Sequence, residues 1–176
     1  EQNELDDLFF FLKKGNIDYR EIIEVVKFLF KRRQSKLYID LAILKQDEFP
    51  NIVGFVLDKC YKDSELRIDE FEYFIDKIGN LKPYYSQIGS IYFNFHKLDK
   101  SFKYYYKIWD DKKEDIAFAK NALITCLHNF ERYTNRIDEE KEDEILYYFQ
   151  SIQKELSFQD ISLLVYYNLV VRKDLN

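Results

Sequence analysis

Between residues 18 and 33, Ile22, Val25, Val26, Leu29 and Phe30 recur at the i, i+3, i+4, i+7, i+8 spacing of one buried helix face. Asp18 and Glu21 precede that run as an Asp-x-x-Glu start signal, so the pattern predicts a helix over 18–33. The same period continues through 35–46, 50–61, 68–78, 83–95, 98–109, 114–130, 138–156 and 158–172, with a shorter helix over 4–13 in front. The expectation is about ten helices joined by short loops. Gly15 and Gly79 fall just past predicted helix ends, where the left-handed conformation favours glycine. Pro50 and Pro83 fall at predicted helix starts, where a missing N–H costs nothing. Gly54 and Gly89 lie inside helices. Each costs up to about 1 kcal/mol there relative to alanine, which packing has to offset.

Laid on itself, the chain repeats. Val53-Gly54-Phe55-Val56-Leu57 matches Ile88-Gly89-Ser90-Ile91-Tyr92 at a shift of 35, and a further shift of 35 reaches Leu123-Ile124-Thr125-Cys126-Leu127. Asn129-Phe130 then echoes Asn94-Phe95. Ile68-Asp69 and Lys77-Ile78 match Leu98-Asp99 and Lys107-Ile108 at a shift of 30, which puts five extra residues in the loop 61–67. Two helices in a period near 35 mark an α-solenoid.

Tyr85, Ile88, Gly89 and Tyr92 on one helix, then Ser101 and Tyr105 on the next, resemble the tetratricopeptide (TPR) repeat. Ile108 replaces a small residue of that pattern and Lys113 its usual proline. The match is best over 83–113 and degenerate over 47–156. The chain therefore reads as a single α-helical repeat domain over 1–176, with N-terminal helices over 1–47 and TPR-like pairs over 48–176. The resemblance implies an all-α fold, a right-handed α-α superhelix of antiparallel helix pairs. In it Gly89 lets the second helix of its pair pack close, and Ile124 implies a wider spacing or a different crossing in the next unit.

The first helix of each TPR lines the concave surface. Carried over by register, that face holds Asn51, Phe55, Asp58 and Lys59, then Ser86, Gln87, Ser90, Phe93 and Asn94, then Asn121, Thr125, His128 and Asn129. Amides and hydroxyls of this kind bond both the N–H and the C=O of an extended peptide. Asn94 and Asn129 occupy equivalent places and are expected to be exposed and to act together. Lys59 is the lone cation of the lining, so the basic cluster that clamps a terminal carboxylate in some TPR proteins is not expected.

Composition narrows the function. With 47% apolar and 34% charged residues the chain is foldable, and its net charge of −5 argues against nucleic acid as partner. Lys31-Arg32-Arg33, a compact basic run, closes a predicted helix and complements its dipole. Cys60 and Cys126 are isolated, which suggests neither zinc nor a disulfide framework and makes a reducing cytoplasm the expected compartment. No apolar run approaches the ~18 residues of a membrane span, so membrane insertion is not expected. A start at Glu1 and the lack of methionine suggest a part of a longer protein.

His96 and His128 stand at no nucleophile spacing, and no phosphate-binding glycine motif occurs. The acidic run 138–144 reads as a solvated helix start rather than a cation loop. No catalytic, cofactor or metal residues are therefore expected. Aromatics reach 18%, and Tyr104-Tyr105-Tyr106, Tyr147-Tyr148-Phe149 and Tyr166-Tyr167 each wrap around a helix, so an exposed subset could anchor a partner. The expectation is a non-catalytic scaffold binding a protein or peptide segment, with homo-oligomerisation left open. The alternatives are an accessory helical domain of a larger enzyme, for example a bacterial transferase, and a peptide-sensing regulatory domain.

Overall fold

The computed structural model describes residues 17–112 and 115–173. These hold nine α-helices and no strand: α1 Tyr19–Lys31, α2 Ser35–Lys45, α3 Asn51–Lys62, α4 Ile68–Lys77, α5 Tyr85–Asn94, α6 Leu98–Lys112, α7 Ile116–Tyr133, α8 Glu139–Ser151 and α9 Phe158–Tyr167. The helix expected over 4–13 and the helix end expected at Gly15 lie outside the described residues. The other periodic segments all form helices. That over 138–156 stops at Ser151 and resumes as a 3₁₀ turn, Gln153–Glu155, and that over 158–172 ends in a π turn, Asn168–Arg172.

Local signals explain the starts. Asp18 accepts from the Glu21 N–H at 3.0 Å while Glu21 accepts from the Asp18 N–H at 3.0 Å, a complete capping box. Asp115, Asp138 and Ser157 cap α7, α8 and α9, each accepting a first-turn N–H, and Ser157 completes a second box with Asp160.

The helix ends depart from expectation. No described glycine has a positive φ; the left-handed positions are Arg33, His96, Thr134 and Lys173. Gly79 instead meets a side chain that closes α4 from outside. Gln46 Nε2 donates to the Lys77 carbonyl at 3.0 Å and to the Ile43 carbonyl at 3.2 Å, while its Oε1 accepts from the Gly79 N–H at 3.4 Å. With the Lys77 carbonyl and the Gly79 N–H satisfied in this way, α4 closes without a left-handed glycine.

The chain divides into two compact units between Tyr84 and Tyr85. In the first unit α2 is central, packing on α1, α3 and α4. Ile22, Leu29, Tyr38, Leu41, Ile52, Leu57, Phe71 and Phe74 are fully buried there. The expected pairing of α3 with α4 gives way to α4 on α2, where Ser35 Oγ donates to Glu70 at 2.7 Å. Gly54 accordingly does not receive its neighbour in the repeat. It faces the ring of Tyr84, 3.2 Å from where a Cβ would stand, and the Tyr84 hydroxyl donates to the Pro50 carbonyl at 3.0 Å.

In the second unit α6 packs along both α5 and α7, and α7 carries α8, α9 and the π turn. Its core is Phe102, Tyr105, Trp109, Ala119, Ala122, Leu123, Cys126, Ile145, Phe149 and Tyr167. Here the expectation for glycine holds. Three atoms of the Tyr105 ring lie 3.1–3.3 Å from the Cβ that Gly89 lacks, and Ser101 Oγ donates to the Gly89 carbonyl at 2.9 Å. Both partners sit on the second helix of the pair.

Candidate functional site

The residues expected on one face divide by unit. In the first, α3 presents Asn51 exposed and Phe55 and Lys59 half-buried. Lys59 Nζ lies 4.8 Å from the Phe55 ring centre, 5.4 Å from that of Phe30 and 3.7 Å from the Asp58 carboxylate, so its charge is already engaged.

In the second unit, α5 and α7 bring two residues of the expected face together. Phe93 and His128, 35 apart in sequence, meet edge to face with ring centres 5.3 Å apart. Around them an open groove of about 300 Å³ is lined by Phe93, His96, Leu98, His128, Glu131 and Arg132. Gln87 and Asn94 are exposed on the same helix as Phe93. The turn after α5 shapes the groove's end: Lys97 N–H donates to the Tyr92 carbonyl and His96 N–H to the Phe93 carbonyl, both at 2.9 Å, with His96 left-handed between them. On the far side, His128 Nδ1 stands 3.7 Å from Glu131, whose other oxygen accepts from the Tyr166 hydroxyl at 3.0 Å.

Three expected ligand groups are already committed to the fold. Ser90 is half-buried, donates to the Ser86 carbonyl at 3.0 Å and sits 2.9 Å from the Tyr105 hydroxyl. Thr125 is fully buried and donates to the Asn121 carbonyl at 2.7 Å, with Asn121 itself half-buried. Asn129, expected to be exposed as Asn94 is, is buried, and its Nδ2 donates to the Asn135 carbonyl at 2.8 Å. The cause is the position of α7: helices or turns cover it on several sides, so less of its circumference reaches solvent.

A second cluster escaped the sequence reading. Glu142, inside the acidic run expected to be solvated, is fully buried. It accepts from Arg136 Nε at 2.7 Å, the Ile137 N–H at 2.8 Å, the Asp138 N–H at 3.2 Å and the Tyr167 hydroxyl. Burial, and after it the Glu142 carboxylate, pushes the Tyr167 phenol above its usual range. Burial opposes the Arg136 charge, yet the carboxylates of Glu142 and Asp143 outweigh it and raise the guanidinium's pKa. The same burial and carboxylate push the Cys126 thiol well up, which leaves it protonated and unreactive at neutral pH. The signal was present: 142, 145, 146 and 149 share the spacing of one helix face, and Ile145, Leu146 and Phe149 are core residues. The cluster ties α7, α8 and the α9 end together, with every acceptor position of Glu142 facing protein.

No described helix is long and apolar enough to cross a membrane, and no group of three or more described His, Cys, Asp or Glu side chains is placed to hold a metal ion. No family model, curated protein or solved structure matches the chain.

Proposed function

We propose that the chain is a non-catalytic helical interaction module of TPR-like design, and that the α5–α7 face of the second unit holds an extended protein segment. On this reading α5 and α6 form one repeat and α7 opens the next, stacked as in a right-handed superhelix. The observation that supports it is the Phe93–His128 contact, between residues 35 apart in sequence, beside an open groove. The closure of Tyr105 over Gly89 supports the same register. Phe93 and the buried Leu98 offer an apolar seat, while Gln87, Asn94 and His128 offer exposed polar groups for a ligand backbone.

The test is selection of a random peptide library on the wild-type chain, followed by affinity measurement on an Asn94→Ala/His128→Ala variant. Both residues are exposed, so the melting temperature should stay near wild type. Loss of about 1–1.5 kcal/mol per polar partner would weaken the selected peptides by tenfold or more. Peptides that bind the variant as tightly as wild type would place the ligand elsewhere and end this reading.

A further inference from the structure

The C-terminal helix presents a second surface of different character. Over residues 156–171 Asp160 is the one charged residue, and it is buried against Lys120 Nζ at 2.5 Å, with Ser157 Oγ donating to it at 2.6 Å. The outward face of α9 and its π turn is therefore uncharged in a chain that is 34% charged. On it lie Phe158, 84% exposed, and Ile161, Val165, Tyr166 and Leu169, each 41–53% exposed. Side chains of this size, about half exposed, present on the order of 400–500 Å² of apolar surface, the upper range for a monomer.

The stripe is close to palindromic. Ile161 and Val165 stand two positions either side of Leu163, and Phe158 and Leu169 stand five before and six after it. Two copies of α9 laid antiparallel would bring Ile161 onto Val165 of the second copy and Phe158 onto its Leu169. Ser162, small and exposed, would lie near the two-fold axis where the backbones approach. Face to face, the pair would bury on the order of 1,000 Å² in total, the area at which specific interfaces begin. The absence of charge on the face also removes the local repulsion that two chains of net charge −5 would otherwise meet. A membrane-surface helix, by contrast, carries lysines and arginines along its polar face, and within 156–171 the one charged residue is the acidic Asp160.

We infer that this chain self-associates as a two-fold dimer through antiparallel packing of the α9 face. The inference does not depend on the peptide groove. Sedimentation equilibrium from micromolar to submillimolar concentration should give twice the 21.6 kDa mass of one chain at the upper end. An Ile161→Glu/Val165→Glu variant should stay at the single-chain mass throughout, with unchanged helical circular dichroism because both residues are exposed. Ser162→Cys should form an intermolecular disulfide on mild oxidation, Cys60 and Cys126 being buried. A wild-type monomer at every concentration would overturn the inference, even if the face captured some other protein. So would a dimer that survives the double variant, or failure of the Ser162→Cys variant to cross-link.

Discussion

Each unit buries a tyrosine whose phenol donates to a carboxylate beside a buried cysteine, and the two carboxylates are held differently. In the first unit Tyr38 donates to Asp63 at 2.8 Å, beside Cys60. Asp63 is half-buried at the end of α3, and its other oxygen accepts from the Glu65 N–H at 3.0 Å. Burial, then the neighbouring Cys60 and Asp63, raises the Tyr38 phenol, and burial raises the Cys60 thiol despite the Tyr38 hydrogen bond. In the second unit Glu142 has no access to water and is balanced by Arg136. The comparison separates two uses of one motif. Where water reaches the carboxylate, the hydrogen bond is a modest latch; where it does not, the carboxylate needs a cation, and losing either leaves an unpaired buried charge.

The largest expected effect breaks that contrast if it fails. Glu142→Gln should lower stability by about 3–5 kcal/mol, since Arg136 is left without its most buried partner. Asp63→Asn should cost only about 1 kcal/mol, the net worth of an ordinary hydrogen bond. Urea melts of the two variants give the order, and equal losses would mean that burial does not distinguish the clusters.

The glycines sharpen the comparison at a smaller scale. Gly89→Ala drives a Cβ against three atoms of Tyr105, a ring locked in the core, and should destabilise by about 1–2 kcal/mol net of the helix-propensity gain. At Gly54 one atom of the half-buried Tyr84 ring stands at 3.2 Å, and that ring can swing outward. Gly54→Ala should therefore stay within about 0.5 kcal/mol of wild type, as the propensity gain offsets the shift. Thermal melts that place Gly54→Ala at or below Gly89→Ala would contradict the packing difference.

How much of this was legible follows from which interactions are local. Helix positions and starts were readable because apolar period and caps act within a few residues, as Asp18 and Glu21 do. Gly89 was legible too, because its partners Ser101 and Tyr105 belong to the very next helix. Gly54 was not: the five extra loop residues precede a helix that turns to α2, and the ring over Gly54 comes from Tyr84, 30 residues on. The candidate face was legible in part. Phe93, Asn94 and His128 stay available, but Thr125 and Asn129 were lost because repeat register says nothing of which helices cover α7. Gly79 misled for a similar reason, since Gln46 lies more than 30 residues away.

The smallest expected effect concerns two of the left-handed helix ends, one taken from each unit. Arg33 closes α1 at φ 58°, with Gln34 N–H donating to the Leu29 carbonyl at 3.0 Å. Thr134 closes α7 at φ 55°, with its N–H on the Phe130 carbonyl at 2.7 Å. Both would suit glycine, but the strain differs, because a β-branched side chain crowds this conformation more than an unbranched one. Thr134→Gly should thus stabilise by about 1 kcal/mol, the relief exceeding the extra unfolded-state entropy that glycine brings. Arg33→Gly relieves less and also gives up the exposed ion pair with Glu65, worth well under about 1 kcal/mol, so its gain should be a few tenths at most. A rise in melting temperature for Thr134→Gly that exceeds that for Arg33→Gly is the expected result. The reverse order would show that branching at the helix end is not what separates the two.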